Sequence, residues 1–217
     1  MKLVIVNSGV GNVRSVANML KRLCVEAEIS DDPRALAAAD ALVLPGVGSF
    51  DAAMRRLRAS GLKSVLDDLA AAGRTPMLGI CLGMQLMGEG SEEGQEPGFG
   101  WIGGEFKRFQ TSDGGGELIR IPHMGWNVVT VQNDDDPLYA GFTHPPRFYF
   151  DHSYYFVPRD AKVAAVMARH GVDFPAGVRQ GLLFGVQFHP EKSHRFGFRL
   201  LSNFASFAAK HAVDAVA

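Results

Sequence analysis

Cys81 lies in a short segment whose residue types suit nucleophilic catalysis. Residues 79–83 read GICLG, which has the form G-x-C-x-G, and they follow a predicted buried strand and precede a predicted helix. A nucleophile at such a sharp turn has a strained backbone, and glycines are needed on both sides because bulkier residues would clash with the facing strand or helix. The start of the following helix favours thiolate over thiol. Cys81 is therefore a candidate nucleophile, and the alternative is a small apolar residue at the end of a core strand.

His189 and Glu191 supply the base and the carboxylate that cysteine chemistry needs. The apolar run Leu183–Phe188 delivers His189 to a strand end, and the phrase His-Pro-Glu follows. Proline fixes the local backbone, so a carboxylate two residues on can orient the imidazole and stabilise its charged form. A structural histidine beside a surface glutamate is the alternative. As metal ligands the two residues would share one strand face with no evident third and fourth partner, so we expect no metal site.

A glycine-containing turn, LPGVGSF at residues 44–50, is the third candidate element. Gly46 and Gly48 would let the backbone bend so that N–H groups point into a cavity, as an oxyanion hole requires. Many strand-to-helix turns contain glycine, so this signal is weak by itself. A similar turn at residues 9–12 lacks the third glycine of a dinucleotide fingerprint because Arg14 occupies that position, and no G-K-[ST] motif occurs. We expect no nucleotide cofactor.

The first half of the chain alternates predicted strands with predicted helices. Short apolar runs predict strands over Leu3–Val6, Ala41–Leu44 and Pro76–Ile80, and Val25–Ile29 is a further strand candidate. Amphipathic patterns predict helices over Val13–Leu23, Phe50–Arg58, Leu62–Ala72 and Leu82–Met87, with Gly73 as a helix stop. The segment Asp31-Asp32-Pro33 predicts the start of a further short helix, with an acidic cap and proline in its first turn. This alternation with short connections is typical of a parallel sheet covered on both faces.

The second half predicts strands joined by turns. The strands are expected over Trp101–Phe109, Trp126–Val131, Arg147–Phe150, Lys162–Met167 and Leu182–Phe188. Residues 89–100 are predicted to be a surface loop, residues 114–116 a flexible turn, and Phe196–Lys210 a closing helix. The predicted fold class is therefore α/β, with a mostly parallel central sheet flanked by helices and an additional antiparallel or hairpin region in the second half. Residues 1–217 are expected to form a single domain.

Composition excludes several classes of protein. The 217 residues are 47% hydrophobic and 21% charged, which is typical of a globular protein and not of a disordered one. The net charge of −1 provides no basic field for a nucleic-acid backbone. Two cysteines, Cys24 and Cys81, rule out a disulfide scaffold and indicate a reducing compartment; Cys24 is expected to be a buried structural thiol. The first apolar run is too short for a signal peptide, and no run of about 20 apolar residues occurs, so we expect a cytoplasmic protein without a membrane partner.

Five longer phrases, found in order along the chain, resemble a known family. They are LPGVGSFDAAM (44–54), GICLGMQLM (79–87), IPHMGWN (121–127), YFDHSYYF (149–156) and GVQFHPEKS (185–193). Together they resemble the class I glutamine amidotransferases and, within them, the glutaminase subunits of imidazole glycerol phosphate synthases. The resemblance spans nearly the whole chain. It implies a flavodoxin-like three-layer fold and catalytic roles for Cys81, His189 and Glu191.

The activity that this resemblance implies is hydrolysis of glutamine to glutamate through a cysteine thioester. Ammonia would pass to a (β/α)8-barrel cyclase subunit, in a heterodimer that serves histidine biosynthesis without a cofactor in this chain. N–H groups near Gly48 and Leu82 would hold the oxyanion, and the flexible segment 45–48 could flip a peptide when the site is switched on. The residues implied near the bound glutamine are Gly46, Val47, Gly48, Leu82, Gln85, Ser153 and Tyr154.

Two departures from the family pattern affect the expected partner interface and glutamine pocket. Relatives usually have Asp-Tyr-Gly where this chain has Asn7-Ser8-Gly9, and an apolar residue where it has Asp151. Met124, Trp126 and Tyr149 are candidates for the partner face, with a core role as the alternative.

Three alternative functions remain open on the sequence. A similar subfamily amidates a nucleotide-linked sugar in surface-polysaccharide pathways. A non-catalytic binding module on the same fold and a cysteine hydrolase of the peptidase type are the alternatives from other classes.

Overall fold

The structure is a computed structural model, and it describes residues 1–9, 11–112, 118–133 and 135–214. The first half contains, in chain order, β1 (Leu3–Val6), α1 (Val13–Arg22), β2 (Ala27–Ser30), α2 (Pro33–Ala37), β3 (Ala41–Gly46), α3 (Phe50–Ala59), α4 (Leu62–Ala72), β4 (Met77–Cys81) and α5 (Leu82–Leu86). Each of the four predicted strands and five predicted helices is present here, with shifts of one or two residues at some ends. The predicted caps are also present, since Asp32 accepts a hydrogen bond from the N–H of Arg34 at 2.9 Å and Gly73 ends α4 in the left-handed conformation.

The second half contributes mostly strands. They are β5 (Gly90–Ser91), β6 (Gly104–Arg108), β7 (His123–Val128), β8 (Thr130–Val131), β9 (Arg147–His152), β10 (Tyr154–Pro158), β11 (Ala164–His170), β12 (Val172–Gln180) and β13 (Leu183–Val186), before α6 (His194–Asp214). Short 3₁₀ helices occur at Pro137–Tyr139, Ala161–Val163 and Pro190–Lys192. The turn predicted at residues 114–116 lies outside the described residues.

An eight-stranded sheet with the order β2-β1-β3-β4-β13-β12-β11-β8 forms the centre of the fold. The strands from β2 to β13 pair in parallel, and those from β13 to β8 pair antiparallel. Two smaller sheets, β10-β6-β5 and β7-β9, accompany it. The predicted fold class, a mostly parallel central sheet with an antiparallel region from the second half, is confirmed.

Two apolar cores lie on opposite faces of the central sheet. Side chains alternate across a strand, and in β1 Leu3 and Ile5 belong to one core while Val4 and Val6 belong to the other. The first core contains buried residues of α1 and α6, and the second contains those of α3 and α4. Helices therefore cover both faces. Within the described ranges, no helix is long and apolar enough to cross a membrane.

Three expectations from the sequence were wrong in detail. The strand predicted at Trp126–Val131 begins at His123 and is interrupted at Val129. Three further strands, β5, β10 and β12, were not predicted. Cys24 is exposed rather than buried; it follows the end of α1 in a left-handed conformation, with a φ of 58°.

Candidate active site

Cys81 ends β4, and α5 begins at the next residue without an intervening loop. This connection forces Cys81 to a φ of 53° and a ψ of −111°, which is strained for a residue with a side chain. The flanking glycines allow the close approach: a Cβ atom on Gly83 would lie 1.7 Å from the carbonyl oxygen of Leu44, and one on Gly79 would lie 2.7 Å from that of Gly83. The segment has the geometry of a nucleophile elbow.

His189 follows β13, and hydrogen bonds to its backbone N–H and carbonyl hold it in place. Its N–H donates to the carbonyl of Tyr149 at 2.8 Å. The hydroxyl of Ser193 donates to the carbonyl of His189 at 2.6 Å and accepts from the N–H of Tyr149 at 2.9 Å. These bonds join the turn after β13 to β9, so the imidazole has a defined position.

The His189 ring and the Glu191 carboxylate form a buried pair. Nδ1 of His189 lies 2.8 Å from Oε1 of Glu191, and each side chain is only 2% exposed. Burial acts to lower the pKa of His189, but hydrogen bonding and charge interactions with Cys81 and Glu191 outweigh it and raise that pKa to about 10. The imidazole is consequently a cation at neutral pH, held between a sulfur and a carboxylate.

The adjacency of β4 and β13 brings Cys81 and His189 together. The two strands pair in parallel, with Ile80 opposite Val186, so the segments that follow them leave the sheet at the same edge. Gln187, which follows β13, is fully buried; its Nε2 lies 3.7 Å from the Cys81 sulfur and its Oε1 accepts from Nε2 of Gln85 at 3.2 Å. Sequence reasoning did not single out Gln187, because its strand pattern predicts only a core position.

A cavity of about 320 Å³ opens beside the Cys81 sulfur, a volume suited to a small metabolite. Its lining residues are Val47, Gly48, Cys81, Leu82, Gln85, Glu93, Pro122, Asp151, His152, Ser153, Tyr154 and His189. Eight of these were proposed from the sequence as catalytic or glutamine-contacting residues. Glu191 lies behind His189 and outside the lining.

Gly46, also proposed to lie near glutamine, is not part of the cavity lining. A Cβ atom there would lie 2.9 Å from Cβ of Leu82 and 3.0 Å from the N–H nitrogen of Gly83. Gly46 therefore lets the end of β3 approach the start of α5.

Glu93, Pro122 and His152 line the cavity although they are not among the residues named from the sequence as near the bound glutamine. Glu93 accepts a hydrogen bond from the N–H of Phe50 at 3.2 Å, and burial raises the pKa of its carboxyl group. It belongs to a Gly- and Glu-rich segment predicted as a surface loop, and such a composition gives no signal that one carboxylate turns inward. Within the described ranges, no group of three or more His, Cys, Asp or Glu side chains is arranged to hold a metal ion.

The fold and the site together define a class of protein. A cysteine at a strand-to-helix elbow, next to a histidine and a buried carboxylate at the same edge of a largely parallel sheet, is the arrangement of an α/β enzyme that works through a cysteine nucleophile. Residues 3–206 match the model of the family "Glutamine amidotransferase class-I". The chain belongs to this family.

Curated relatives cover nearly the full length of the chain. It is 46% identical over 202 residues to imidazole glycerol phosphate synthase subunit HisH 2 of Pseudomonas aeruginosa, a match that covers 93% of this chain and 98% of the relative. It is 45% identical to the subunit HisH of Acaryochloris marina, with 93% and 92% covered, and 46% identical to that of Symbiobacterium thermophilum, also with 93% and 92% covered.

Solved structures share the fold at low sequence identity. A Thermoplasma acidophilum protein described as a putative GMP synthase component superposes with a TM-score of 0.74 at 20% identity, covering 100% of this chain and 98% of that one. PurLQS from Thermotoga maritima gives a TM-score of 0.71 at 19% identity, with 95% and 98% covered.

Proposed function

We propose that this chain is the glutaminase subunit of an imidazole glycerol phosphate synthase and that it releases ammonia from glutamine for histidine biosynthesis. The observation that carries the proposal is the contact of His189 with both Cys81 and Glu191 beside a cavity of metabolite size. Full-length relatives with the printed name of this subunit support the choice of reaction.

The proposed reaction begins with attack of the Cys81 sulfur on the side-chain amide carbon of glutamine. The carbonyl oxygen becomes an oxyanion, which N–H groups near Gly48 and Leu82 stabilise. The proton on His189 passes to the departing nitrogen, the carbon–nitrogen bond breaks, and ammonia leaves a thioester on Cys81. Neutral His189 then takes a proton from water, whose oxygen attacks the thioester and releases glutamate. Glu191 holds the ring in position and stabilises its charged form.

Glutamine would lie in the cavity with its amide toward Cys81 and its charged end toward the opposite wall. The carboxylate of Glu93 is complementary in charge to the α-ammonium group, and the amide of Gln85 is available to the same end of the substrate. Ser153 and Tyr154 are proposed to contact the α-carboxylate. Gly46 would act indirectly, by allowing the close packing of β3 against α5.

A (β/α)8-barrel cyclase subunit is the proposed partner, in a heterodimer. The outer face of the β7-β9 sheet, formed by Met124, Trp126, Val128, Arg147, Tyr149 and Asp151, adjoins the glutamine cavity through Asp151. Ammonia in water at neutral pH is mostly ammonium, so transfer through a water-poor passage to a docked partner preserves the nucleophile. We also propose a cytoplasmic location, since a catalytic thiol must stay reduced.

Replacement of Cys81 by alanine tests the proposal. In complex with the cyclase, Cys81→Ala is expected to abolish glutamate release while ammonia-dependent synthesis of imidazole glycerol phosphate continues. Cys24→Ala is the matched control, because Cys24 is the exposed cysteine outside the site, and it should retain full glutamine turnover.

Three outcomes would contradict the proposal. Retained glutamine turnover in Cys81→Ala would exclude the thioester mechanism. Turnover that responds to a nucleotide-linked sugar acceptor and not to the cyclase substrate would move the chain to surface-polysaccharide amidation. Absence of glutamate with every partner would indicate a binding module.

A further inference from the structure

A chain of hydrogen bonds runs behind the cavity wall, through side chains that the proposed reaction does not use. Nδ1 of His152 lies 2.7 Å from the carbonyl oxygen of Tyr154. Nε2 of His152 lies 2.9 Å from Nδ1 of His123, and Nε2 of His123 lies 3.1 Å from Nδ2 of Asn127. His123 and His152 stand opposite each other on β7 and β9, and both are 5% exposed.

In this hydrogen-bond chain, only one placement of the protons on the ring nitrogens satisfies every partner. Asn127 is oriented by two backbone partners: its Oδ1 accepts from the N–H of Val128 at 2.8 Å and its Nδ2 donates to the carbonyl of Arg169 at 2.9 Å. Nδ2 must therefore donate its second proton to His123, whose Nε2 accepts.

The assignment then passes from ring to ring. Since Nε2 of His123 accepts, its Nδ1 carries the proton and donates to Nε2 of His152. Nδ1 of His152 then carries the proton that reaches the carbonyl of Tyr154. Starting instead from the Tyr154 carbonyl, which can only accept, leads to the same assignment. Both rings are neutral and hold their proton on Nδ1.

The surroundings keep both rings neutral. Burial lowers the pKa of His123 to about 4, aided by the charge of His170. Burial is the main cause that lowers the pKa of His152 to about 3; the bond to the Tyr154 carbonyl opposes this, and repulsion by positive charge on the neighbouring imidazoles adds to it. The ring of His170 stacks on that of His123 at 4.2 Å and donates from Nε2 to the carbonyl of Arg120 at 2.8 Å. A proton on either ring of the chain would place two donors face to face.

One end of the hydrogen-bond chain lies at the residues that would bind substrate. His152, Ser153 and Tyr154 are consecutive and line the cavity, and the carbonyl that His152 holds belongs to Tyr154. At the other end, Asn127 and His123 lie on β7, the strand whose outer face carries the exposed Met124 and Trp126. His123 and Asn127 themselves are not part of the cavity lining.

We propose that His123 and Asn127 are positioning residues that fix the tautomer of His152 and, through it, the place of Ser153 and Tyr154 in the glutamine pocket. This role rests on the proposed glutaminase function. It also makes the strand beneath the partner face part of the support of the substrate site.

Nuclear magnetic resonance tests the hydrogen-bond chain without any activity. Imidazole ¹⁵N shifts of the labelled protein are expected to show His123 and His152 as Nδ1–H tautomers that stay neutral at pH 5, whereas an isolated histidine would be mostly protonated there. Either ring found in the Nε2–H form, or protonated at pH 5, would overturn the assignment.

Two substitutions at one position separate positioning from simple packing. The amide nitrogen of asparagine, like Nδ1 of histidine, is bonded to the atom next to Cβ, so His123→Asn keeps a donor toward His152. The longer side chain of His123→Gln moves the donor away. In the complex with the cyclase, His123→Gln is expected to raise the KM for glutamine about tenfold with kcat changed less than about twofold, while His123→Asn stays within about twofold of the wild type in both.

Asn127→Asp is the second variant, nearly equal in size to the native residue. A carboxylate there accepts where the amide donates, so Nε2 of His123 must carry a proton while Nδ1 still donates to His152. The substitution should therefore raise the pKa of His123 and raise the KM as His123→Gln does. Equal KM values in His123→Asn and His123→Gln, or an unchanged KM in Asn127→Asp, would overturn the positioning role. A wild-type complex that releases no glutamate would instead overturn the proposed function, and the tautomer measurement would still decide the hydrogen-bond chain.

Discussion

His189 is the residue whose charge the candidate site alters most. Burial alone would favour the neutral ring, yet its pKa is raised to about 10 through Cys81 and Glu191. In the proposed reaction, the proton for the leaving ammonia is therefore in place before glutamine arrives. The nearby His152 is held neutral, and the positive charge of His189 contributes to this. Two histidines beside one cavity thus differ in charge, one positive and one neutral, because their partners differ.

Replacement of Glu191 by glutamine should lower the pKa of His189 and slow the reaction. A neutral amide cannot stabilise the imidazolium as a carboxylate does. It can also face Nδ1 of His189 with either its NH2 group or its oxygen, so the ring loses its fixed orientation. We expect kcat for glutamine to fall about 10²-fold or more, and the pKa, measured by ¹⁵N titration of His189, to lie below that of the wild type. Glu28→Gln, which removes a surface carboxylate paired with Lys2, is the matched control and should change neither quantity.

The same substitution changes how stability depends on pH. Because the folded-state pKa of His189 is raised from its ordinary value of 6.5 to about 10, its interactions stabilise the fold fully below about pH 6.5. Their contribution is lost as the pH rises through about 10. The free energy of unfolding of the wild type should therefore exceed that of Glu191→Gln at pH 6.5, with a smaller difference at pH 10. An equal difference at both pH values would contradict the shifted pKa.

Residue types and local phrases predict the candidate triad but not the whole cavity. Cys81, His189 and Glu191 each lie in a short pattern whose backbone requirement can be read directly from neighbouring Gly or Pro residues. Glu93 and His152 lie in segments with no such pattern, and they reach the cavity only through the path of a loop and the pairing of β7 with β9.

The elbow between β4 and α5 depends on contacts with β3. Gly83 passes so close to Leu44 that any side chain must displace the backbone of one element. This is a requirement of packing between elements, since Gly83 itself has an ordinary helical conformation.

Gly83→Ala is expected to lower the free energy of unfolding by about 3 kcal/mol or more, or to prevent folding, because the added Cβ atom would overlap the Leu44 carbonyl. Chemical denaturation monitored by circular dichroism measures the change. Gly90→Ala is the matched control: a Cβ atom there meets no atom within 4 Å, and its effect should stay below about 1 kcal/mol. Equal stability of the two variants would show that the elbow tolerates a side chain.

Elements of the parallel half were predictable because β1, β3 and β4 are short, buried apolar runs, each followed by a helix. The antiparallel half was less so. β12 contains Asp173, Pro175 and Gly177, which argue against a strand, yet it pairs with β11 on one side and β13 on the other. Its ladder with β11 shifts register next to the pair Met167 and Pro175, and such an irregularity accommodates proline inside a sheet. Tertiary pairing of this kind leaves no local pattern.

At the scale of the whole molecule, the exposed apolar side chains of β7 distinguish one face. Met124 is 60% exposed and Trp126 is 40% exposed, and they alternate with the inward-facing His123 and Asn127 that support the cavity wall. Apolar side chains exposed together in this way are typical of a protein–protein interface.

The expectation that residues 1–217 form one domain stays a prediction.

Met124→Glu should weaken association with the cyclase by about tenfold or more, because a charge would have to be desolvated at the centre of the proposed contact. The dissociation constant can be measured by isothermal titration calorimetry with the purified cyclase. Val213→Glu, at an exposed apolar position on α6, is the matched control and should bind as the wild type does. Equal affinity of Met124→Glu and the wild type would move the interface elsewhere.

The position of β13 governs when activity can arise during synthesis of the chain. This strand, formed by residues 183–186, inserts between β4 and β12 and leads directly to His189. A ribosome will have translated Cys81 more than a hundred codons before His189, its proposed catalytic partner. In the proposed mechanism, the nascent polypeptide therefore cannot consume glutamine until β13 has taken its place between β4 and β12.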